Sequence, residues 1–353
     1  MTSTASPIRV LIVDDSALAR RAIADALALD PAIEVVGVAA DPYAAREKIL
    51  ALEPDVITLD IEMPLMDGLT FLKILQEHHP IPVVIVSGMT PAGSELALAA
   101  LAAGAIDVIK KPDGSGSLGE VAWRLATQVK AAARARLRPA GAPTDTLVAA
   151  AAPSVPRDPT GRRVLLLGAS TGGVEALRFL LPRLPDGLPP IVIVQHIPAT
   201  FSSIMASHLN LLAPFEVREA VDGLALRPGL CVIAPGDFHV ALAPQGNGYR
   251  LRVMRSPAVN HCRPSVDVLF RSGAEHAGKH AVGVLLTGMG SDGARGLQLM
   301  RAAGARTLAE SQESCVVFGM PQAAIRLDAV DEVVPLPRMP AAIINALVGR
   351  GTS

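Results

Sequence analysis

The chain has 353 residues, and this length predicts two domains because most domains contain about 100–200 residues. Hydrophobic residues make up 50% and aromatic residues 3%, so the cores must be mostly aliphatic. The formal net charge of -1 argues against a nucleic-acid partner. The three widely spaced cysteines suggest reduced thiols, and neither a signal peptide nor a membrane-spanning run is visible. We therefore expect a cytoplasmic protein without membrane insertion.

In the first third of the chain, short apolar runs alternate with helical patterns, which is typical of a parallel α/β sheet. The helical patterns are clearest at Ala17–Leu29 and Ala44–Leu52. The apolar runs predict five strands, at Ile8–Val13, Glu34–Ala39, Val56–Leu59, Val83–Val86 and Ile106–Ile109.

Polar side chains follow several of these runs, at Asp14, Asp15, Asp60, Ser87 and Lys111. In parallel sheets, the carboxyl ends of the strands gather functional groups. A cluster of carboxylates favours a hard divalent cation, and a carboxylate can accept a phosphoryl group whose oxygens a lysine and a hydroxyl hold. The alternative, that the aspartates are only helix caps and turn residues, is plausible for each alone but less so for all five.

Residues 8–125 resemble the receiver domain of two-component response regulators. The matching segments are Val13–Ser16, Asp60–Gly68, Ser87 and Lys111–Pro112. The resemblance implies that a histidine kinase phosphorylates Asp60. It also implies that Asp15, Asp60 and the carbonyl of Glu62 hold Mg²⁺, with Asp14 nearby.

The same resemblance assigns Ser87 and a lysine to the switch that responds to phosphorylation. Lys110 and Lys111 compete for this role, and Lys111 is chosen because the family places its lysine directly before the proline. One departure from the family is Val108, which stands where many receivers have an aromatic residue. An aromatic switch is therefore not expected.

A linker region is predicted between the two domains. Asp113–Gly119 is a glycine-rich turn, and Leu118–Leu137 is a helical pattern with Trp123 on its apolar side. The following Pro- and Ala-rich stretch has no periodic core pattern. The expected division is a receiver over 7–125, a helix and linker over 126–160, and a second domain over 161–350.

A second α/β pattern follows the linker. Between residues 216 and 255, Pro-Gly and Gly-Asn turns separate short runs such as Leu230–Ile233 and Tyr249–Met254, which indicates antiparallel strands or a hairpin insertion. The other elements predicted are strands at Val164–Leu167, Ile191–Gln195 and Ala281–Leu286, and helices at Val174–Leu181, Ser202–Leu212 and Pro264–Lys279.

A glycine-rich turn, Gly168–Gly173, joins the first strand of this pattern to its helix and carries Ser170 at its centre. This is the G-x-S-x-G layout of a nucleophile elbow. A dinucleotide-binding loop would need G-x-G-x-x-G and a later acidic residue, whereas the next strand ends in Gln195-His196. A plain glycine turn with an incidental serine is the other alternative.

Three residues that could form a catalytic triad, Ser170, His196 and Asp292, each follow the carboxyl end of a strand. Histidine can activate a serine hydroxyl, and a buried carboxylate can orient the imidazole. The chain order Ser, His, Asp differs from that of α/β-hydrolases, so we expect another fold. Backbone N–H groups of the glycine-flanked turns could hold the oxyanion. The candidates are Thr171 or Gly172, and Met289.

Other residues offer competing interpretations. His239 and His261 lie in loop-rich segments and could contact substrate. Asp222 and Asp237 stand near glycines, which is typical of turn residues. Asp267 could begin a helix.

The second half of the chain resembles the catalytic domain of chemotaxis protein-glutamate methylesterases. The matching segments are Gly168–Gly173, Gln195–Pro198, Arg263–Phe270, Leu286–Gly293 and Cys315–Pro321. The resemblance implies Ser170 as nucleophile, His196 as base and acid, and Asp292 as the orienting carboxylate. The implied substrates are glutamate methyl esters and specific glutamines of chemoreceptors.

The predicted fold class is therefore α/β, with two doubly wound parallel-sheet domains. A flavodoxin-like receiver precedes a Rossmann-like methylesterase domain that contains an antiparallel hairpin insertion. The predicted function is a phosphorylation-activated, monomeric serine esterase whose partners are chemoreceptors and a histidine kinase. No cofactor is expected for the ester chemistry. A DNA-binding output would need a basic recognition helix, and none is found. A different ester substrate stays open.

Overall fold

The structure is a computed structural model that describes residues 6–88, 90–111, 118–135 and 161–349. The chain divides into two compact units, Met1–Ala142 and Pro143–Ser353. Both units are α/β with parallel sheets, which confirms the predicted fold class. No helix among the described residues is both long and apolar enough to cross a membrane.

The first unit contains a five-stranded sheet in the order β2-β1-β3-β4-β5, with all neighbouring strands parallel. This is the flavodoxin-like order. The strands are β1 (Ile8–Val13), β2 (Ile33–Ala39), β3 (Val56–Leu59), β4 (Val83–Ser87) and β5 (Asp107–Lys110). The helices are α1 (Ala17–Leu27), α2 (Pro42–Leu52), α3 (Gly68–His78), α4 (Pro91–Ala102) and α5 (Leu118–Ala133).

Helix α1 begins after Ser16, whose side chain accepts a hydrogen bond from the backbone of Ala19. Asp14 and Asp15 therefore do not cap this helix. Asp14 instead accepts a hydrogen bond from the backbone N–H of Ser16 at 2.9 Å. Its other oxygen lies 2.9 Å from Nζ of Lys111.

Helix α5 contradicts one prediction, because Trp123 is 43% exposed and does not lie on the apolar side. The side chains that α5 buries include four at helical spacing, Ala122, Leu125, Ala126 and Val129, which begin one position before Trp123. Alanines at two of these four positions allow close packing, which leaves the large indole ring at the margin. Helix α5 continues past residue 125, where the receiver domain was predicted to end. Residues 112–117 and 136–160 lie outside the described residues, and they include most of the predicted turn and the linker.

The second unit contains a seven-stranded sheet in the order β14-β13-β12-β6-β7-β9-β8, and every neighbouring pair is parallel. Its strands are β6 (Val164–Ala169), β7 (Ile191–Gln195), β8 (Glu216–Glu219), β9 (Leu230–Ile233), β12 (Ala281–Leu285), β13 (Arg306–Glu310) and β14 (Glu332–Val334). Its helices are α6 (Gly173–Leu180), α7 (Ala199–Leu212), α8 (Val266–His276), α9 (Ala294–Ala302), α10 (Met320–Arg326) and α11 (Met339–Val348).

The predicted hairpin insertion is present as a separate antiparallel pair, β10 (His239–Gln245) and β11 (Gly248–Met254). The assignment of Leu230–Ile233 to this antiparallel region is wrong, because β9 joins the parallel sheet between β7 and β8. All four residues of β9 are buried, which is the pattern of a strand covered on both faces of a parallel sheet.

The strand order fixes where each sheet opens a crevice. From β6 the chain proceeds to β7 on one side, and β12 on the other side of β6 leads away to β13. The connections diverge between β6 and β12, so a crevice forms at their carboxyl ends. In the first sheet, β1 leads to β2 on one side and β3 leads to β4 on the other, so a crevice forms between β1 and β3. The predicted site residues of each unit follow these strands.

Candidate active site

The serine turn occupies the crevice beside β6. Ser170 is buried, and its backbone N–H donates a 3.0 Å hydrogen bond to the carbonyl of Thr287, which follows β12. Gly172 has φ of 78°, and a Cβ there would lie 2.5 Å from Val316. The turn therefore requires glycine at this position for both its conformation and its packing.

Gln195, the last residue of β7, ties the serine turn to the histidine. Its amide Nε2 donates to the carbonyl of Ser170 at 2.9 Å and to that of His196 at 3.1 Å. A Cβ on Gly173 would lie 2.1 Å from Oε1 of Gln195, so glycine makes room for this amide. The sequence gives no sign that the side chain of Gln195 positions the site. Its two bonds depend on strand register, which a single sequence does not display.

The predicted pair of His196 and Asp292 is present. Nε2 of His196 lies 2.9 Å from Oδ2 of Asp292. The carboxylate also accepts hydrogen bonds from the side chains of Asn260 and Ser265, at 2.8 and 2.7 Å. The backbone N–H groups of Val266 and Asp267 complete the set at 2.7 and 3.3 Å.

This network keeps the carboxylate ionised. Burial opposes the charge on Asp292, but the hydrogen bonds from His196, Asn260 and Ser265 outweigh it and hold the pKa of Asp292 below its usual range. Nearby, burial and the charge of Asp292 raise the pKa of Asp267. Asp267 accepts hydrogen bonds from Asn260 at 2.7 Å and from the N–H of Gly296 in α9 at 2.6 Å. Asp267 lies in the first turn of α8, as the sequence suggested.

Cys262 stands on the other side of the imidazole, with Sγ 3.7 Å from Nδ1 of His196. Burial disfavours the imidazolium, but the interactions of the ring with Cys262 and Asp292 outweigh it and raise the pKa of His196 to about 10. An imidazolium cannot accept a proton, so the base form of His196 is populated as the pH rises. From the sequence alone, Cys262 was expected only to be a reduced thiol.

The structure brings Ser170 to the same sheet edge as the His196–Asp292 pair without bonding its hydroxyl to the imidazole. The N–H of His196 donates to the carbonyl of Ala169, the neighbour of Ser170, at 3.1 Å. Among the described residues, no hydrogen bond of the Ser170 hydroxyl is present. The serine side chain can therefore rotate, and catalytic hydrogen bonds often tighten only with substrate bound.

The predicted oxyanion donors lie in the loops on either side of Ser170. Thr171 is buried, and its carbonyl accepts a 3.0 Å hydrogen bond from the hydroxyl of Thr287. Met289 is half-buried and follows Gly288, where a Cβ would lie 2.7 Å from the Cβ of Ser170. The close approach places the Met289 loop next to the serine. The role of both residues as donors stays a prediction.

The structure decides among several of the competing residues. His239 is fully buried, with its nitrogens against the carbonyl of Pro257 and the N–H of Ser265, both at 3.1 Å. The suggestion that His239 contacts substrate is therefore wrong. The sequence around His239 has the pattern of a loop, but His239 begins strand β10 and its side chain lies in the core. Asp237 adopts φ of 68°, as a turn residue does.

The acidic cluster of the first unit lies at the carboxyl ends of β1 and β3. Oxygens of Asp14, Asp15 and Asp60 lie within 4.8 Å of one another. Nζ of Lys111 bridges two of them, at 2.9 Å from Asp14 and 2.7 Å from Asp60. Burial raises the pKa of Asp60 even though Lys111 works against it. Burial opposes the charge of Lys111, but its two carboxylate partners raise its pKa.

The other predicted receiver residues surround this cluster. Ser87 ends β4 with a fully buried hydroxyl that has no hydrogen-bond partner among the described residues. The backbone N–H of Glu62 donates to Asp60 at 3.3 Å, and its side chain accepts from Thr90 at 3.1 Å. The three carboxylates supply hard oxygen ligands of the kind that Mg²⁺ prefers. These positions are compatible with the predicted roles, which stay predictions.

The two units together define a class of protein. In this class, a receiver unit is followed on the same chain by an α/β unit that carries a serine turn and a histidine–carboxylate pair at one crevice. Comparison with known families agrees. Residues 165–343 match the CheB methylesterase family, and residues 10–121 match the response regulator receiver domain. The chain belongs to the CheB methylesterase family.

Similar proteins span almost the whole chain. A protein-glutamate methylesterase/protein-glutamine glutaminase 5 of Anaeromyxobacter dehalogenans is 52% identical, over 97% of this chain and 98% of that protein. A corresponding protein of Syntrophus aciditrophicus is 46% identical over 96% of this chain and 99% of its own. The crystal structure of the Thermotoga maritima CheB methylesterase catalytic domain matches with a TM-score of 0.51 and 38% identity, covering 52% of this chain and 97% of that one.

Proposed function

We propose that this chain hydrolyses glutamate methyl esters on chemoreceptors and deamidates specific receptor glutamines, under the control of phosphorylation at Asp60. The observation that carries the proposal is the pair of the partly buried His196 and the buried Asp292, 2.9 Å apart at the crevice that also receives Ser170. The relatives are named for these two activities, and a receiver domain matches in front of the esterase domain.

In the proposed reaction, Oγ of Ser170 attacks the ester carbonyl. Its proton passes to Nδ1 of His196, because Nε2 is held by Asp292. Backbone N–H groups near Thr171 and Met289 stabilise the oxyanion. His196 then returns the proton to the departing methoxide, which leaves as methanol, and an acyl-enzyme on Ser170 results.

Water completes the turnover. His196 takes a proton from the water as the water attacks the acyl-enzyme, and it returns that proton to Oγ of Ser170 as the acyl bond breaks, so glutamate and the free serine hydroxyl are released. A glutamine side chain reacts in the same way, with ammonia as the first product. Asp292 stays ionised throughout and stabilises the imidazolium that forms. Its pKa below the usual range supports this role.

In the receiver, Asp60 is proposed to accept the phosphoryl group from a histidine kinase. Asp14, Asp15 and Asp60, with the carbonyl of Glu62, would hold Mg²⁺, which neutralises charge on the transferring group. Lys111 already lies 2.7 Å from Asp60 and can hold a phosphoryl oxygen. The buried hydroxyl of Ser87, which has no hydrogen-bond partner among the residues that the structure describes, suits a second such oxygen.

We also propose that the chain consists of a receiver over 7–125, a helix and linker over 126–160 and a catalytic domain over 161–350. The protein is proposed to be monomeric and cytoplasmic. Free cysteines, including the partly exposed Cys262, suit a reducing compartment.

The direct test is release of methanol from methylated receptor by the full chain, with and without a phosphodonor. Wild type should release methanol, and Ser170→Ala should lower the rate by about 10⁴-fold or more, since it removes the nucleophile. Ser207→Ala, an exposed serine on α7, is the matched control and should leave the rate unchanged. No methanol from wild type in either condition would refute the proposed function.

A further inference from the structure

The proposed mechanism leaves one polar group beside the imidazole unused, the thiol of Cys262. It is half-buried, whereas the other two cysteines, Cys231 and Cys315, are buried. Its sulfur and Nδ1 of His196 are 3.7 Å apart, and both atoms are soft or borderline ligands. The pair therefore offers a chemistry other than ester hydrolysis.

The separation of the two atoms suits a shared metal ion. Zn²⁺ binds thiolate at about 2.3 Å and imidazole at about 2.0–2.1 Å, almost always in tetrahedral geometry. These bond lengths place sulfur and nitrogen roughly 3.5 Å apart across a tetrahedral angle. The observed 3.7 Å needs only a small adjustment of the two side chains.

Asp292 supplies the outer support that histidine ligands of metals have. A ligating histidine almost always donates its second ring N–H to a carboxylate or carbonyl, which fixes the tautomer. Here Nε2 is bonded to Asp292, so the lone pair of a neutral His196 lies on Nδ1, towards Cys262. Four further hydrogen bonds engage the carboxylate, so it acts as the support and not as a ligand.

The loop that carries the cysteine is held in place before any ion binds. Val259 and Cys262 exchange two backbone hydrogen bonds, at 3.0 and 2.9 Å, around Asn260 and His261. Both central residues have positive φ, 52° and 61°. Asn260 is anchored to Asp292 at 2.8 Å. The turn therefore fixes the thiol relative to the same carboxylate that fixes the imidazole.

We propose that His196 and Cys262 form a binding site for a soft divalent cation, foremost Zn²⁺, whose occupancy blocks the esterase. On binding, the cysteine gives up its thiol proton to solvent, as does His196 if Nδ1 is protonated, and water fills the remaining positions. The metal then occupies the nitrogen that would take the proton of Ser170. Inhibition, though not binding, rests on the proposed function.

The two candidate metal clusters among the described residues differ in chemistry. The oxygen cluster of Asp14, Asp15 and Asp60 suits Mg²⁺, whereas a thiolate and an imidazole suit Zn²⁺ or Co²⁺. A probe that reports a sulfur ligand therefore distinguishes the proposed site from the receiver site.

Binding is tested with Co²⁺ as the probe on the reduced full chain. Wild type should develop the near-ultraviolet charge-transfer band of a cobalt–thiolate bond, and Zn²⁺ should abolish it by displacement. Cys262→Ser should lose the band, and so should His196→Ala in large part. Cys231→Ala, which removes a buried thiol of β9, is the matched control and should retain it. No band in wild type, or a full band in Cys262→Ser, would overturn the proposal.

Inhibition is tested by methanol release without phosphodonor, with each protein normalised to its own rate in the absence of zinc. Saturating Zn²⁺ should lower the wild-type rate at least about tenfold, and a chelator should restore it. Cys262→Ser should need at least about tenfold more Zn²⁺ for the same fractional loss. Equal sensitivity of the two proteins would contradict the proposal. A cobalt band in a protein that never releases methanol would uphold the site and refute the proposed function instead.

Discussion

Two buried aspartates, Asp60 and Asp292, each lie beyond the carboxyl end of a strand that borders the crevice of its sheet, yet their surroundings prepare them for opposite tasks. Asp292 accepts five hydrogen bonds, and its pKa is held below the usual range. Asp60 has Lys111 at 2.7 Å and one long backbone contact at 3.3 Å, and burial raises its pKa. A carboxylate whose oxygens all accept hydrogen bonds, like Asp292, is suited to orienting a neighbouring side chain. A carboxylate with few hydrogen bonds, like Asp60, keeps an oxygen available for reaction.

The comparison is tested most strongly by Asp292→Asn. An amide cannot stabilise the imidazolium or hold the same tautomer, so methanol release should fall by about 10³-fold or more. Asp267→Asn is the matched control, because Asp267 is buried in the same network but does not contact His196. Asp267→Asn should lose much less of the rate of methanol release than Asp292→Asn. If the two variants lost equal activity with intact folds, the orienting carboxylate would be misassigned.

A smaller loss is expected at Gln195, which positions the site without touching substrate. Gln195→Leu keeps the side-chain size but removes the bonds to the carbonyls of Ser170 and His196. We expect kcat to fall by about 10- to 100-fold with KM nearly unchanged, since misplacement costs rate before it costs binding. Steady-state kinetics on methylated receptor checks the split. A rise in KM alone would indicate a substrate-binding role.

The reactive aspartate is tested by Asp60→Asn. Phosphorylation adds negative charge and can bias the receiver between two states, and a tenfold activation corresponds to about 1.4 kcal/mol. The variant should keep the basal rate and lose the whole stimulation by phosphodonor. Asp55→Asn, which removes an exposed carboxylate bonded to the backbone of Arg9, is the control and should still respond. Stimulation that survives in Asp60→Asn would show that another residue is the acceptor.

The smallest expected effect is a shift in pH dependence. Because the pKa of His196 is raised to about 10, its neutral form and hence kcat/KM should increase as pH rises towards that value in metal-free buffer. Cys262→Ser removes the sulfur whose interaction with the ring raises this pKa, so the rising limb should move to lower pH. Rates are corrected for spontaneous ester hydrolysis. An unmoved limb would show that Cys262 does not raise the pKa of His196.

The sequence was sufficient where function follows the ends of strands. The positions of Ser170, His196 and Asp292 could be predicted because a parallel sheet delivers strand ends to one edge. It was insufficient where contacts join distant segments. Asn260 and Ser265 reach Asp292 across 32 and 27 residues, and Cys262 reaches His196 across 66, with no periodic signal.

The fold shows the same limit. The strands of the first sheet were predicted to within one residue at each end, since short apolar runs define them. Trp123 and Leu230–Ile233 were misplaced because side-chain exposure and strand pairing depend on neighbours elsewhere in the chain. A local pattern of apolar residues therefore predicts where a strand lies more readily than it predicts which strands pair with it.

The central claim is that Ser170, and not the thiol of Cys262, which lies 3.7 Å from Nδ1 of His196, is the nucleophile. Its most direct test is an acid quench of the full chain during turnover of methylated receptor, followed by peptide mapping of the glutamyl adduct by mass spectrometry. The account predicts the adduct on the peptide that contains Ser170, as an ester. An adduct on Cys262, detected as a thioester that neutral hydroxylamine cleaves, would contradict it.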